Sequence, residues 1–265
     1  MDKSALWNIE LYLFDMDGTL YLGNQLFGFT TELLAKIKAA KKRYMFMTNN
    51  SSKSVEDYIK KLASLGISAS REEFITSSQA TAYYLKKHHA GAKLYVCGTE
   101  SLKKELENEG FAITEDTQET EVIVMGFDTE LTFRKLSDVS YMLCTRDMPY
   151  IATNPDYVCP TEFGSVPDCG SVCDMIYNAT GKRPTVIGKP EPLMPLLAME
   201  KAGVFPKNTA VVGDRIYTDV KSGLAAGAVA VLVMSGETTK EILESSHDKP
   251  DFVLENAGEL ADFIK

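Results

Sequence analysis

The stretch LYLFDMDGTLYLG, from Leu11 to Gly23, joins a short apolar run to a pair of carboxylates. The run LYLF is apolar throughout rather than alternating, which is typical of a strand covered on both faces, as in a parallel sheet. Asp15 and Asp17 follow it, two positions apart, so an extended backbone turns both side chains the same way. Two carboxylates this close repel each other unless a cation lies near them. The stretch therefore predicts a buried strand that leads into a charged site.

Strand-like apolar runs alternate with helix-like segments along the rest of the chain. The predicted strands are Ile9–Phe14, Tyr44–Met47, Lys93–Cys97, Val122–Met125, Tyr150–Ala152, Thr185–Ile187, Ala210–Val212 and Val229–Met234. An amphipathic helix is predicted from Ser54 to Leu65, because Ser54 and Asp57 have capping-box spacing and an apolar stripe follows. This alternation predicts an α/β fold with a doubly wound, mainly parallel sheet. In such sheets, ligands bind beyond the carboxyl ends of the strands.

Four of the apolar runs are followed by side chains that carry chemistry. These are Asp15 after LYLF, Thr48 with Asn49 and Asn50 after YMFM, Lys189 after TVIG, and Asp214 with the later Asp219 after AVVG. If the four strands are parallel neighbours, these groups gather at one edge of the sheet. Each motif taken singly is also typical of a turn or a helix cap. Their occurrence in this order, each after an apolar strand, favours a shared site.

The residue types predict what such a site binds. Asp15, Asp17 and Asp214 are hard oxygen ligands, and a cluster of them suits Mg²⁺. Lys189 and Thr48 are donors suited to an anionic oxygen opposite the metal, so the set predicts a phosphate site. A carboxylate there can attack phosphorus once the phosphoryl charge is neutralised.

Four motifs resemble those of the haloacid dehalogenase superfamily, namely DMDGTL (15–20), TNNSS (48–52), GKPEP (188–192) and GDRIYTD (213–219). The DxD form of the first motif is that of the superfamily's phosphatases and phosphotransferases, not of its dehalogenases. YLGNQLFG after the first motif, TNPD and the downstream PDCGS resemble the NagD-like or p-nitrophenylphosphatase-like branch. The resemblance runs across nearly the whole chain and implies a Rossmann-like core with a large inserted cap domain.

The resemblance also implies roles for the matching residues. Asp15 would be the nucleophile that forms an aspartyl-phosphate, and Asp17 the acid/base that protonates the leaving alcohol and then activates water. Thr48 and the Asn49 backbone would bind the phosphoryl oxygens, with Asn50 as a further substrate-binding residue. Lys189 would hold nucleophile and phosphate together.

A Mg²⁺ site belongs to the same resemblance. The ion would lie on the Asp15 carboxylate, the Asp17 backbone carbonyl and Asp214. Asp219 would act on the metal through water or by orienting Lys189. Phosphoryl transfer needs alignment and charge stabilisation more than elaborate chemistry, so a preformed cage of this kind suits the reaction.

The distance between the second and third motifs leaves room for an inserted domain. We expect a discontinuous catalytic core at residues 1–77 and 183–265, interrupted by an α/β cap at 78–182. A cap can exclude water and select the leaving group. Within its Pro- and Gly-rich segment, Asn154 and Asp156 are candidates to face the entrance and touch the substrate. The alternative is that they only shape a turn.

Composition limits the partners. The net charge of −9 and the lack of a broad basic patch argue against nucleic acid. No apolar run approaches the roughly 20 residues of a membrane helix, and the N-terminus has no signal-peptide core, which predicts a cytoplasmic protein without a membrane partner. The five cysteines are expected to be reduced. A homo-oligomer is compatible with the sequence.

The leading hypothesis is a Mg²⁺-dependent phosphatase that hydrolyses a small phosphorylated metabolite, such as a sugar phosphate, a nucleoside monophosphate, glycerol phosphate or pyridoxal phosphate. The alternative among enzymes is a phosphotransferase or phosphomutase. A dehydrogenase or nucleotide-binding module is disfavoured, because no G-x-G-x-x-G follows a strand and no G-x-x-x-x-G-K-[ST] is present. A non-catalytic phosphate sensor is disfavoured because Asp15 and Asp17 are both intact.

Overall fold

Strands and helices alternate along the chain. The structure is a computed structural model that describes residues 4–161 and 163–265. The strands are β1 (Leu11–Phe14), β2 (Tyr21–Leu22), β3 (Gln25–Leu26), β4 (Arg43–Thr48), β5 (Phe74–Thr76), β6 (Lys93–Cys97), β7 (Ala112–Ile113), β8 (Val122–Met125), β9 (Tyr150–Ala152), β10 (Val158–Thr161), β11 (Gly164–Pro167), β12 (Thr185–Val186), β13 (Thr209–Gly213), β14 (Val229–Val233) and β15 (Phe252–Leu254). The helices are α1 (Ser4–Trp7), α2 (Thr30–Ala39), α3 (Val55–Ser64), α4 (Ser77–His88), α5 (Glu100–Asn108), α6 (Phe133–Thr145), α7 (Cys169–Thr180), α8 (Leu193–Ala202), α9 (Lys221–Ala225) and α10 (Lys240–Ser245). Short 3₁₀ or π turns lie at Arg71–Glu73, Pro206–Asn208, Ile216–Val220 and Ala257–Phe263.

Each strand predicted from the apolar runs forms, with small shifts at its ends. β1, for example, begins at Leu11 rather than Ile9. The capping box before α3 also forms, since Asp57 N donates to Ser54 Oγ at 3.2 Å and Ser54 N donates to Asp57 Oδ2 at 3.0 Å. The sequence pattern does not predict β2, β3, β5, β7, β10, β11 or β15, because runs of only two to four residues carry little periodic signal.

The chain divides into two compact units. The first comprises the residues up to Thr48, Tyr58–Ile75 and Lys189–Lys265, and the second comprises Asn49–Asp57 and Thr76–Gly188. The core at 1–77 and 183–265 and the cap at 78–182 remain predictions of how the chain is organised into domains.

The first unit is built on a six-stranded sheet in the order β15-β14-β13-β1-β4-β5. β1 pairs in parallel with β13 on one side and with β4 on the other, and Phe14 lies opposite Val212 and Phe46. All four side chains of β1 are buried, which accounts for its uninterrupted apolar sequence. The carboxyl ends of β1, β4 and β13 therefore meet at one edge of this sheet.

The second unit contains a five-stranded sheet in the order β12-β9-β8-β6-β7, in which all neighbouring strands are parallel. Its apolar core lies between this sheet and helices α6 and α7 and includes Cys169 and Cys173. α7 is capped by Asp168 and is followed by Gly181, whose φ of +69° favours glycine. β10 and β11 form an antiparallel hairpin.

The structure tests the predicted fold class and the predicted neighbouring of the four motif-bearing strands. The prediction of an α/β fold with mainly parallel sheets is confirmed. The condition that all four motif-bearing strands are neighbours is wrong for TVIG, because β12 pairs with β9 in the five-stranded sheet instead. No helix within residues 4–161 and 163–265 is long and apolar enough to cross a membrane.

Leu13→Ala tests how far the buried central strand stabilises the sheet. Leu13 is fully buried, so we expect the free energy of unfolding to fall by about 2–5 kcal/mol through lost apolar contact and a residual cavity. Urea unfolding followed by circular dichroism measures this. Leu22→Ala is the matched control, because Leu22 is 58% exposed and its truncation should change stability by about 0.5 kcal/mol or less. Equal losses in the two variants would contradict the assignment of β1 to the core.

Candidate active site

The carboxyl edge of the six-stranded sheet carries acidic side chains. Asp15 follows β1, and its N–H still donates to Val212 O of β13 at 2.8 Å. Asp214 follows β13 directly, and Asp219 lies in the next turn. Thr48, the last residue of β4, is buried. The parallel register thus brings three of the four predicted strand ends together within the first unit.

Asp15, Asp214 and Asp219 form a carboxylate cluster. Each offers one oxygen, and these oxygens all lie within 4.8 Å of one another. Asp214 and Asp219 are 3% and 1% exposed, whereas Asp15 is partly exposed. Carboxylates at this separation repel one another unless positive charge lies among them.

Lys189 supplies that positive charge. Its Nζ donates to Asp15 Oδ1 at 2.7 Å and to Asp219 Oδ1 at 2.6 Å, and it lies 3.4 Å from Met47 O. Burial alone would lower the pKa of this lysine, but the charges of Asp15 and Asp219 outweigh burial and hold the pKa above its usual range. Lys189 is therefore a permanent cation that fixes one oxygen of each of two carboxylates. Although β12 belongs to the other sheet, Lys189 itself lies in the first unit.

The two oxygens of Asp214 have different surroundings. Oδ2 accepts from Glu237 N at 2.7 Å. Oδ1 is buried, and no donor within residues 4–161 and 163–265 forms a hydrogen bond with it. Burial, followed by the charges of Asp15 and Asp219, raises the pKa of Asp214 to about 7. A buried carboxylate oxygen that lacks a donor is an expected ligand for a cation.

The donor set fits a hard divalent cation such as Mg²⁺, which prefers carboxylate oxygens. Asp15 and Asp214 could hold it, since each offers a carboxylate oxygen to the cluster. Asp219 differs, because its Oδ1 is bound to Lys189 and its Oδ2 accepts from Arg215 N at 3.1 Å. Burial raises the pKa of Asp219 to about 6, although the Lys189 ammonium opposes this shift. The engagement of both oxygens favours the orienting role for Asp219 over direct contact with a metal.

Two glycines give the Asp214 carboxylate the space it occupies. A Cβ on Gly18 would lie 2.5 Å from Asp214 Oδ2, and a Cβ on Gly236 would lie 2.0 Å from it. Gly18 also has a φ of +82°, a backbone conformation that residues other than glycine rarely adopt. The glycine of DMDGTL is therefore required both by its backbone conformation and by the close carboxylate.

Asp17 lies outside this cluster. Its side chain is exposed, its Oδ1 accepts from Gly23 N at 3.3 Å, and its backbone pairs with Tyr21. The cluster thus contains Asp219 where the sequence pattern suggests the Asp17 carboxylate. The metal contact assigned to Asp17 involves its backbone carbonyl and remains a prediction.

Asn49 and Asn50 begin the second unit. Asn49 O accepts from Ser77 Oγ at 2.6 Å and from Asn154 Nδ2 at 3.0 Å, so the orientation of this peptide group is fixed from two sides. Asn50 Oδ1 accepts from the N and Oγ of Ser52 at 2.9 and 2.7 Å, which is the geometry of a side-chain turn. Both asparagines therefore have structural contacts of their own, and their substrate-binding roles remain predictions.

Asn154 and Asp156 organise the TNPD loop. Asn154 is fully buried, donates to Asn49 O, and accepts from Asp156 N at 3.0 Å through Oδ1. Its two polar ends are thus engaged inside the second unit, which favours the turn-shaping alternative for this residue. Asp156 is half-buried, and its Oδ2 accepts from Asn49 Nδ2 at 3.1 Å. A contact between Asp156 and substrate remains a prediction.

Comparison with known proteins identifies the family. A family model described as haloacid dehalogenase-like hydrolase matches residues 12–112, and a second model for such hydrolases matches residues 186–260. The chain is 32% identical over 253 residues to the 5'-nucleotidase YutF of Bacillus subtilis, an alignment that covers 96% of this chain and 98% of the relative. The chain belongs to the haloacid dehalogenase-like hydrolase family.

Solved structures of family members superpose on most of the chain. A 4-nitrophenylphosphatase from Thermotoga maritima has a TM-score of 0.93 and 42% identity, and the match covers 98% of this chain and 99% of that one. A glycerol phosphate phosphatase from Mycobacterium tuberculosis, in complex with calcium, has a TM-score of 0.90 and 28% identity, with 99% and 77% covered. The resemblance to the p-nitrophenylphosphatase-like branch is confirmed, and this family member is a hydrolase of phosphomonoesters.

The segment SGET, residues 235–238, follows β14 and is not among the four sequence motifs. Glu237 N and Gly236 lie directly against Asp214, and Ser235 Oγ donates to Gly18 O at 2.7 Å. The signal that could have found it is the strand-end rule applied to β14, which is parallel to β13 in the same sheet. The segment contacts Asp214 mainly through backbone N–H groups, and the identity of a residue does not show how its backbone N–H is used.

Asp214→Asn tests the repulsion within the carboxylate cluster. In chelator at pH 8 we expect this variant to be more stable than the wild type, because the raised pKa of Asp214, about 7, means that its ionised form destabilises the fold. Each pKa unit corresponds to about 1.4 kcal/mol. The shift from the ordinary value of 3.8 to about 7 therefore sets an upper limit of roughly 4 kcal/mol on the gain in stability. Thermal unfolding measures the difference. Asp262→Asn, at an exposed position of the first unit, is the control, and a gain of the same size there would count against buried repulsion.

Proposed function

We propose that this chain is a Mg²⁺-dependent phosphatase that hydrolyses a small phosphorylated metabolite through an aspartyl-phosphate on Asp15. The observation that carries the proposal is the pair of contacts from Lys189 Nζ to Asp15 and Asp219, at 2.7 and 2.6 Å, beside the Asp214 oxygen that has no hydrogen-bond donor in the described part of the chain. A partly exposed carboxylate next to a buried ammonium is suited to attack phosphorus, because its charge and orientation are both fixed. The phosphatase names of several relatives support the same class of reaction.

Two bond exchanges would complete the reaction. In the first, an Asp15 oxygen forms a bond to phosphorus, the bond from phosphorus to the leaving oxygen breaks, and Asp17 gives its proton to the leaving alcohol. In the second, Asp17 takes a proton from water, the water oxygen attacks phosphorus, and the bond to Asp15 breaks to release inorganic phosphate. Asp17 suits this role because its exposed carboxylate lies outside the Lys189 network and is accessible to both alcohol and water.

Positive charge has to be supplied locally, since the net charge of −9 repels an anionic substrate. Lys189 supplies one such charge, and a bound divalent cation would supply more beside the phosphoryl oxygens. Asp15 and Asp214 would hold the cation, with the Asp17 carbonyl as a further ligand. The Thr48 hydroxyl, the Asn49 N–H and Asn50 complete the proposed set that binds phosphoryl oxygens.

The proposed substrate class is a phosphomonoester of a small organic group. The names of the relatives cover a 5'-nucleotidase, a nitrophenylphosphatase and a glycerol phosphate phosphatase, and a terminal phosphate on a small leaving group is common to these activities. The segment 78–182 is proposed to act as the cap that selects this leaving group, with Asp156 as the candidate contact. The physiological substrate is best sought with a panel of sugar phosphates, nucleoside monophosphates, glycerol phosphate and pyridoxal phosphate.

Asp15→Asn tests the nucleophile. An amide cannot form the acyl-phosphate, so we expect phosphate release from p-nitrophenyl phosphate to fall by at least about 10³-fold while the circular dichroism spectrum is retained. Asp262→Asn is the matched control and should keep the wild-type rate. Near-native turnover by Asp15→Asn would show that another group attacks phosphorus.

Chelation tests the dependence on metal. Treatment with excess chelator should silence the wild-type enzyme, and added Mg²⁺ should restore it, because the carboxylate cluster otherwise repels the phosphate. Phosphate release is measured before and after each addition. Activity that survives chelation would remove the divalent cation from the mechanism.

Transfer to an acceptor other than water is the second candidate function, as for a phosphotransferase or phosphomutase. The exposed position of Asp17 leaves room for an alcohol in the place of water. Free phosphate and alcohol product are measured with and without added acceptor alcohols. Equal release of both products at all acceptor concentrations supports hydrolysis, whereas a deficit of free phosphate supports transfer.

A further inference from the structure

The loop after β14, residues 235–238, is tied to the carboxylate cluster by its backbone and by a serine. We call it the SGET loop. Glu237 N donates to Asp214 Oδ2 at 2.7 Å, and Thr238 N donates to the Asp214 carbonyl at 3.2 Å. Ser235 Oγ donates to Gly18 O at 2.7 Å. The loop therefore contacts both acid-bearing motifs of the first unit.

The Glu237 side chain binds the GDRIYTD motif a second time. Its Oε2 lies 2.7 Å from Arg215 Nε, and its Oε1 accepts from Tyr217 OH at 2.6 Å. Because the side chain and the N–H of one residue both hold the same motif, Glu237 closes a small ring of contacts around Asp214. The carboxylate of Glu237 does not belong to the cluster of Asp15, Asp214 and Asp219.

The ring also reaches Asp219. Arg215, whose guanidinium binds Glu237, donates through its backbone N–H to Asp219 Oδ2 at 3.1 Å. The same stretch of backbone thus sets the orientation of two acids, and the Glu237 side chain fixes that stretch from outside. The Glu237 side chain is 41% exposed, so this residue can be substituted without opening the core.

From this geometry we propose that Glu237 is a positioning residue of the divalent cation site. Clamped by Arg215 and Tyr217, Glu237 holds its own N–H on Asp214 Oδ2 and leaves Oδ1 as the oxygen available to the cation. The inference rests on the proposed function, because it assigns the cation to Asp214. Groups that orient metal ligands typically change metal affinity by about 10- to 100-fold when they are removed.

Charge alone offers a competing explanation, since Glu237 is an anion near a cation site. Tyr217→Phe separates the two accounts, because it removes one contact to Glu237 and leaves every charge in place. A purely Coulombic role for Glu237 leaves cation affinity unchanged in this variant. A positioning role weakens the affinity, since the Glu237 side chain loses one of the two groups that fix it.

The experiment compares Glu237→Gln, Tyr217→Phe and the control Glu244→Gln, an exposed charge change in the same unit, on the full chain. The Kd for Mg²⁺ is measured by calorimetry and by Mg²⁺-dependent thermal stabilisation, and p-nitrophenyl phosphate turnover is measured against Mg²⁺ concentration. We expect the Kd to rise about tenfold in Glu237→Gln and about threefold in Tyr217→Phe. At saturating Mg²⁺ kcat should stay within about twofold of the wild type, and Glu244→Gln should match the wild type throughout.

The outcomes separate this inference from the proposed function. Unchanged Mg²⁺ affinity in both test variants, with an active wild type that binds Mg²⁺, overturns the positioning role. A weaker affinity in Glu237→Gln alone assigns the effect to charge and also overturns it. A wild type that neither binds Mg²⁺ nor releases phosphate contradicts the proposed function itself. If Glu237→Gln fails to fold, Tyr217→Phe still decides the question, because it removes a single hydroxyl from a half-exposed ring.

Discussion

One buried ammonium, Lys189 Nζ, allows the acids of this site to coexist. It forms hydrogen bonds with Asp15 and Asp219 in a place where water screens little of their repulsion. When all are ionised, the three clustered carboxylates and this ammonium leave a formal charge of −2. A single divalent cation brings that charge to zero, which is a physical reason for the site to bind one. The fold thus arranges a deficit of positive charge that one divalent cation would correct.

The parallel register of the six-stranded sheet determines where this charge accumulates. β1 lies between β13 and β4, so the residues that follow these strands emerge side by side, although they are far apart in sequence. β14 continues the same edge and contributes the loop that contacts Asp214. Lys189 reaches the edge differently, because it follows a strand of the other sheet and projects its amine onto Asp15. Strand order thus places the acids, and the contact of the Lys189 side chain with Asp15 brings in the ammonium that stabilises them.

The sequence predicts the parts of this site that depend on residue type and on strand ends. Continuous apolar runs predict β1, β4 and β13, and the residues after them include Asp15, Thr48 and Asp214. The sequence does not predict which sheet β12 joins, because LYLF and TVIG both have the pattern of a short strand and pairing partners are non-local. Nor does it predict that Asn154 is engaged at both polar ends, since TNPD is compatible with a turn and with a binding loop alike. The SGET loop is missed for a related reason, because its main contribution is a backbone N–H that every residue except proline carries.

Three aspartates of the same chemistry have different hydrogen-bond donors around them. Asp219 has a donor on each oxygen and serves to hold Lys189. Asp214 has a donor on one oxygen, and its other oxygen is buried without one among the described residues, which suits a cation ligand. Asp15 has one oxygen on Lys189 and is the most exposed of the three, which suits a group that must meet a substrate. Since these distinctions come from hydrogen bonds that form only on folding, they are a property of the folded chain rather than of the motifs in which the acids occur.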